Sequence, residues 1–276
     1  IRKGIENKLE KALKQMNFLI NIIANMPYIK NYNFKNLILE NEKLLLSQLN
    51  FILEVKNIKR MYNNCKNTDY IVIPKVYENY TYYDNKIIVM DYIKGERLEN
   101  VIDIDKDNYS LLVAKYGLKC LLFNRFYHGD LHSGNILFIK DKENNYKLGI
   151  LDFGVCCELT RDEQNEFYNL FKLISTTKNY IDVGEFIIEN LVEPKESVLC
   201  LKKTEKKNNI YILSLMAQKT FSNIGFGASE LYEISYLLNK YNLSLVRNFC
   251  KIELAIAISN SVSSKLSYKT TYPSNI

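Results

Sequence analysis

Residues 127–154 carry the side chains of this sequence whose types and spacing could do chemistry. The segment His128-Gly129-Asp130 is followed by Asn135 five positions after the aspartate, and two apolar runs then lead to Asp152-Phe153-Gly154. Transfer of a phosphoryl group requires a carboxylate that faces the acceptor hydroxyl and metal ions that neutralise phosphate charge. The pattern therefore predicts a phosphoryl-transfer centre of the protein-kinase-like type.

Three of these side chains suit separate roles. Asp130, on a loop opened by a glycine, suits the carboxylate that faces the acceptor. Mg²⁺ prefers oxygen ligands and keeps several waters, so Asn135 and Asp152 suit a metal site. The apolar runs at 136–139 and 147–151 predict a hairpin that lets these two residues converge. Ordinary turn residues beside strands are the alternative, but the complete set favours a catalytic centre.

Both histidines of the chain lie in this segment. We expect His128 to orient the loop by hydrogen bonding. His132 lies two positions after Asp130, where protein kinases carry a lysine that touches the γ-phosphate, so it is a candidate catalytic residue. A histidine that fixes the loop is an equally good interpretation of His132, and both roles stay open.

Long helices are predicted on the N-terminal side of this centre. Apolar residues recur at spacings of three and four over 2–26 and again over 35–64. Glu54 lies beside the apolar stripe of the second helix and is a candidate partner for a lysine that holds the α- and β-phosphates. A surface charge is the alternative interpretation of Glu54.

A short β unit follows these helices. Apolar residues at 70–73 and 86–91 predict two strands of a short antiparallel sheet, with a turn at 82–85. The end of the second strand suits a hinge whose backbone would bond the adenine of a nucleotide, through Met90, Asp91, Tyr92 and Ile93. An ordinary edge strand is the alternative.

The remainder is predicted to be mainly helical. One helix is expected around 108–125, and consecutive helices are expected from 161 to the end. Thr160 and Glu163 form a capping box that starts a helix only six residues after Gly154. A conventional protein kinase places a much longer segment there to grip a peptide, so a protein substrate is not favoured.

The order of elements predicts an α+β, bilobal protein-kinase-like fold. The expected single domain over 1–276 has a truncated small lobe at 1–90 with a short antiparallel sheet and long helices, a hinge at 91–95, and a larger, mainly helical C-lobe at 96–276. Because the chain begins at Ile1 rather than Met, we expect a longer protein that also carries a phosphate-binding loop and a lysine strand. Without that strand, the chain as given should bind ATP poorly.

Composition argues against several other classes of protein. The net charge of +6 is mild and the lysines are dispersed, so nucleic acid is not an expected partner. Six cysteines without CxxC spacing and only two histidines argue against a zinc site and favour a reducing compartment. No apolar run reaches the roughly 18–20 residues that span a bilayer.

The sequence resembles the UbiB/ADCK family of atypical protein-kinase-like proteins. Residues 128–135, HGDLHSGN, are similar to that family's HxDxHPGN, and residues 151–160, LDFGVCCELT, to its LDFGxxxxLT. Similarity extends to its long helix signature, its strand, its hinge and the segment after its lysine strand, at residues 48–61, 73–77, 89–95 and 2–5 respectively.

The resemblance implies ATP and Mg²⁺ as cofactors, and ATPase or unorthodox kinase activity linked to ubiquinone or other isoprenoid-lipid metabolism. By motif match Asp130 would be catalytic, Asn135 and Asp152 would be metal ligands, and Glu54 would be the lysine's partner. The implied partners are the nucleotide and a lipid or quinone-pathway small molecule. The implied location is the periphery of a bacterial, mitochondrial or plastid membrane.

One departure from the family bears on the alternatives. The family's long helix normally carries Glu-x-Asp where this chain has Gln48-Leu49-Asn50. The loss of both carboxylates slightly favours a nucleotide-binding pseudokinase, whereas the intact aspartates and asparagine of the centre argue against it. A small-molecule phosphotransferase of the aminoglycoside or choline kinase type shares the catalytic motif, but the helix signature argues against that class.

Overall fold

The computed structural model describes residues 11–15, 51–177, 179–195, 236, 238–239 and 243–267. Residues 11–15 are helical, within the first predicted helix. Three features lie outside the described residues: the resemblance at 2–5, the Gln48-Leu49-Asn50 departure, and the part of the second predicted helix from 35 to 50. The chain divides into two compact units: Ile1–Arg60, Lys75–Asp91 and Asp152–Val155 form the first, and Met61–Pro74, Tyr92–Leu151 and Cys156–Ile276 form the second.

Helices and short strands alternate along the described chain. The helices are α1 (Phe51–Cys65), α2 (Glu78–Tyr83), α3 (Asp103–Lys119), α4 (Arg161–Thr176), α5 (Tyr180–Asn190) and α6 (Arg247–Leu266). The strands are β1 (Ile71–Val72), β2 (Phe126–His128), β3 (Ile136–Lys140), β4 (Tyr146–Ile150), β5 (Cys156–Glu158), β6 (Val192–Glu193) and β7 (Ser244–Leu245). The predicted α+β class is confirmed.

In the first unit, the strand predicted at 86–91 is reduced to one antiparallel bridge, between Val76 and Met90. The predicted turn at 82–85 lies two residues later, at 84–87, because α2 occupies residues 78–83; the Ile87 N–H donates to the Asp84 carbonyl at 3.1 Å. The Ile87 carbonyl accepts a hydrogen bond from the Thr81 hydroxyl at 2.6 Å, which ties the start of the predicted strand to α2.

In the second unit, three strands form one sheet in the order β1-β4-β3. The predicted hairpin is confirmed: β3 and β4 pair antiparallel, from Ile136 opposite Ile150 to Lys140 opposite Tyr146. Strand β1 pairs parallel with β4, which corrects the expected antiparallel partnership of 70–73 with 86–91. The β4 edge offers β1 a buried apolar partner, because Leu148 and Ile150 are fully buried.

Helix α3 packs against α6 and begins at Asp103, earlier than the predicted 108. Two small buried serines allow the close approach of these helices. The Ser110 hydroxyl donates to the Ser263 carbonyl at 2.9 Å, and the Ser263 hydroxyl donates to the Ser110 carbonyl at 3.1 Å. After α3 the chain continues through a π-helical turn at Cys120–Asn124.

The start of α4 is as predicted. The Thr160 hydroxyl accepts from the Glu163 N–H at 3.2 Å, and the Glu163 carboxylate accepts from the Thr160 N–H at 2.7 Å, which completes the capping box. The pairing of β2 with β5 was not predicted from the sequence. Within the described residues, no helix combines the length and apolarity needed to cross a membrane.

Candidate active site

The ring of His128 fixes the loop that carries Asp130. It is buried at the end of β2, and its Nδ1 accepts a hydrogen bond from the Asp130 backbone N–H at 3.1 Å. A ring nitrogen that accepts carries no proton, so Nε2 is the protonated nitrogen and donates to the Leu151 carbonyl at 3.2 Å. The orienting role predicted for His128 agrees with this geometry.

His132 holds the turn that follows Asp130. Its Nδ1 accepts from the Gly134 N–H at 3.1 Å and caps the short 3₁₀ turn Ser133–Asn135. A Cβ on residue 134 would lie 2.9 Å from the same ring nitrogen, so any other residue would push the ring out of this position. The contact supports the loop-fixing interpretation, while a catalytic contribution of His132 stays a prediction.

Asn135 is buried and is fixed through its side-chain nitrogen. Its Nδ2 donates to the Asp130 carbonyl at 3.1 Å, and its backbone carbonyl accepts from the Leu151 N–H at 2.8 Å. With the amide nitrogen engaged, the side-chain oxygen is the atom left to face a cation. An amide oxygen is a suitable ligand for Mg²⁺, so the residue fits the predicted metal role.

Asp152 follows Leu151 directly and has an unusual backbone conformation. Its φ of 58° lies in the left-handed region, which few residues other than glycine adopt. Its Oδ1 accepts a hydrogen bond from the Gly154 N–H at 3.2 Å. The residue is exposed, so its carboxylate is accessible to solvent. A carboxylate of this kind suits Mg²⁺. The convergence of Asp152 with Asn135 stays a prediction.

Two side chains of helix α1 form hydrogen bonds with the backbone N–H and the carbonyl of Phe153. The Glu54 carboxylate accepts from the Phe153 N–H at 3.3 Å, and the Asn57 Nδ2 donates to the Phe153 carbonyl at 2.9 Å. Residues three apart on a helix share one face, which explains why both reach the same residue. These contacts stabilise the segment that contains the strained Asp152.

The role of Asn57 was missed in the sequence. Its i, i+3 spacing from Glu54, beside the buried Val55 and Ile58, was the available signal. Two polar residues on the edge of an apolar stripe indicate a buried polar partner, because an unpaired polar group in that position is costly. Here the partner is the Phe153 backbone.

The pKa of Glu54 is raised to about 7, mainly by burial and also by the negative charge of Asp152, while the hydrogen bond from the Phe153 N–H acts in the opposite direction. The carboxyl is 9% exposed, so it loses most of its hydration on folding. Glu54 therefore takes up a proton more readily in the folded protein than in the unfolded chain.

This shift predicts a pH-dependent stability. Because the folded state binds the Glu54 proton more tightly, the free energy of unfolding should fall as the pH rises from about 4.5 to 7. The expected loss is about 2–3 kcal/mol.

Glu54→Gln, which resembles the protonated form, should remove this pH dependence of the free energy of unfolding, measured by urea unfolding at pH 5 and pH 8. Glu185→Gln, on an exposed position of α5, is the matched control. Identical slopes in wild type and Glu54→Gln would contradict the assignment.

The four predicted hinge residues have different surroundings. In the first unit, the Asp91 N–H donates to the Lys75 carbonyl at 2.9 Å and its carboxylate accepts from the Tyr77 hydroxyl at 2.8 Å, while Met90 forms the bridge. In the second unit, Tyr92 is 90% exposed and Ile93 is buried. The Asp91 N–H is already engaged, and adenine binding by these four residues stays a prediction.

A contact of Arg97 with the catalytic loop was also missed. The Arg97 guanidinium donates from Nη1 to the Gly134 carbonyl, across 37 positions of sequence. Nothing in the local sequence around residue 97 indicates this partner, because the contact depends on how the chain folds.

Comparison with protein families gives one match that covers two thirds of the chain. The model of the ABC1 atypical kinase-like domain matches residues 1–185.

Similar curated proteins are named as kinases. The probable serine/threonine-protein kinase abkB of Dictyostelium discoideum is 26% identical over 193 residues, 68% of this chain and 28% of that protein. The probable protein kinase UbiB of Shewanella baltica is 26% identical over 237 residues, 82% of this chain and 41% of that protein. The chain thus spans less than half the length of these relatives.

A solved structure has a similar fold. The Mycobacterium tuberculosis protein Rv3197, determined as a complex with erythromycin, matches with a TM-score of 0.62 and 16% sequence identity. The match covers 96% of this chain and 66% of that one. Together with the family match, it shows a kinase-like fold, while the predicted division into two lobes stays a prediction.

Proposed function

Because this chain belongs to the ABC1 atypical kinase-like family, we propose that it is an ATP- and Mg²⁺-dependent atypical kinase or ATPase of the UbiB type. The observation that carries the proposal is the fixed amide of Asn135. Its nitrogen is bonded to the backbone of Asp130, so one contact sets both a cation-facing oxygen and the catalytic loop. Because the buried amide is fixed by this hydrogen bond, its oxygen keeps a defined direction.

The residues of the site have distinct roles in this proposal. Asp130, which is exposed, accepts the proton of the attacking hydroxyl or water. The oxygens of Asn135 and Asp152 would hold Mg²⁺, which would neutralise phosphate charge when bound. The ring of His132 keeps the loop in place through Nδ1, and its Nε2 would contact the γ-phosphate. Glu54 orders the segment at Phe153 and pairs with a lysine that holds the other phosphates.

The proposed acceptor is a small molecule linked to isoprenoid-quinone or lipid metabolism. Helix α4 begins at Arg161, so little chain separates Gly154 from the helix and a platform for a peptide has little room. The quinone link rests on the resemblance to the UbiB/ADCK family, and a mitochondrial ABC1 family protein of Schizosaccharomyces pombe supports a mitochondrial setting beside the bacterial one of UbiB from Shewanella baltica. Peripheral association with such a membrane follows from the proposed acceptor.

Nucleotide binding tests the proposal directly. In the longer protein that carries the expected lysine strand, Mg·ATP at about 100 times its dissociation constant should stabilise the fold by about 2.7 kcal/mol, which a thermal unfolding scan detects as a higher Tm. EDTA should remove most of this increase. A Tm that is unchanged by ATP with and without Mg²⁺ would refute the proposed function.

Phosphoryl transfer from labelled ATP into a lipid extract, with amino sugars in a parallel reaction, then distinguishes a UbiB-type enzyme from an aminoglycoside-type phosphotransferase.

A further inference from the structure

The segment around Arg97 is anchored beside the catalytic loop of the second unit. Glu96 and Phe138 exchange two backbone hydrogen bonds, each 2.8 Å long, which fix the residue before Arg97 to strand β3. From this fixed point the Arg97 guanidinium donates to the Gly134 carbonyl. The backbone on both sides of this contact is therefore fixed, and the exposed Arg97 side chain spans the distance between the two segments.

The acceptor of this bond belongs to the peptide group that joins Gly134 to Asn135. The N–H of the same peptide group donates to the His132 carbonyl at 2.9 Å. Arg97 and His132 therefore hold the peptide group at its two polar ends. Because the Asn135 side chain starts from the Cα next to this group, its direction depends on the orientation of the peptide plane.

Because residue 134 is glycine, its own backbone restricts the orientation of the adjoining peptide group only weakly. The His132 ring lies 2.9 Å from where a Cβ would be, so a larger residue would displace this ring. Glycine, however, populates many backbone conformations and leaves the adjoining peptide group free to rotate. A hydrogen bond from a charged donor is roughly twice as strong as a neutral one, so the guanidinium restricts this rotation effectively.

We propose that Arg97 is a positioning residue that orients the Gly134–Asn135 peptide group and thereby sets the affinity of the Asn135 oxygen for Mg²⁺. The part that concerns the metal rests on the proposed function, whereas the part that concerns the peptide group does not. Arg97 acts through Gly134, and the planar guanidinium suits this task better than the point charge of a lysine.

Amide hydrogen exchange tests the positional part without nucleotide or metal. Arg97→Met keeps the aliphatic stem and removes the donor, so the Asn135 amide should exchange about tenfold faster than in wild type, which corresponds to about 1.4 kcal/mol. Arg97→Lys should restore part of the protection. Arg161→Met, at an exposed position in the first turn of α4, is the matched control and should exchange like wild type.

A magnesium titration tests the metal part. The Mg²⁺ concentration that half-saturates ATP-dependent thermal stabilisation should rise about tenfold in Arg97→Met and less in Arg97→Lys.

Unchanged exchange of the Asn135 amide in Arg97→Met would overturn the inference. Faster exchange that extends equally to the Leu148 amide in β4 would assign Arg97 to general stability and would also overturn it. A wild-type protein that shows no response to Mg·ATP would refute the proposed function alone, because the exchange result still decides the role of Arg97.

Discussion

Asp130→Asn is expected to reduce ATP turnover by about 10²–10⁴-fold and to leave the affinity for Mg·ATP within about twofold. The amide cannot accept the proton of the attacking hydroxyl, so the chemical step loses its general base. The loop should keep its shape, because its hydrogen bonds use the backbone N–H and carbonyl of residue 130 and not its side chain. The substitution thus separates catalysis from binding.

Turnover and binding must be measured on the same preparations for this test. Steady-state phosphate release gives the rate, and calorimetric titration with Mg·ATP gives the affinity. Asp107→Asn, at an exposed position of α3, is the matched control and should behave like wild type. Turnover of Asp130→Asn equal to that of the control would exclude a catalytic role for Asp130.

Asp152→Asn should abolish most of the Mg²⁺-dependent part of ATP binding. The substitution removes one negative charge but keeps an oxygen that accepts the Gly154 N–H. Asparagine also tolerates the left-handed backbone of this position, so the local fold should survive. Loss of metal binding can then be attributed to the missing charge.

A second measurement does not depend on any ligand. The charge of Asp152 is one cause of the raised pKa of Glu54, so Asp152→Asn should lower the pKa of Glu54 from about 7 towards its ordinary value. Carbon NMR of the Glu54 carboxyl follows this change, and Asp162→Asn in α4 serves as the control. A thermal shift with Mg·ATP that matches wild type in Asp152→Asn would refute the metal assignment.

Elements that depend on near neighbours could be predicted from the sequence. The β3–β4 hairpin and the capping box of α4 were predicted, since alternating apolar residues and a Thr/Glu pair specify them locally. Helix α2 was missed because its run of tyrosines resembles a strand or turn in composition. The strand at 86–91 was overextended for a related reason, as an apolar β-branched run does not reveal whether a partner strand is available.

Contacts between distant residues could not be predicted. Ile71 pairs with Leu148 and His128 pairs with Cys156, and no pattern in the sequence links these segments. In the candidate site, motif spacing predicted roles for Asp130, Asn135 and His128, and the structure joins both other residues to Asp130 by hydrogen bonds. The contacts of Asn57 with Phe153 and of Arg97 with Gly134 required the folded chain, because each joins segments that are separate in sequence.

The β3–β4 hairpin places a turn that can vary in length at one end and Asn135 of the candidate site at the other. Asn135 precedes its open end and Leu151 follows it, whereas the turn at residues 141–145 lies at the far end, roughly 20 Å from Asn135 by strand geometry. Asp141 closes that turn by itself, accepting from the N–H groups of Glu143 and Asn145 at 2.9 Å each. Evolution can therefore lengthen or shorten this tip without disturbing Asn135, and an engineered epitope or fluorescent label inserted there would report on the protein while sparing its chemistry.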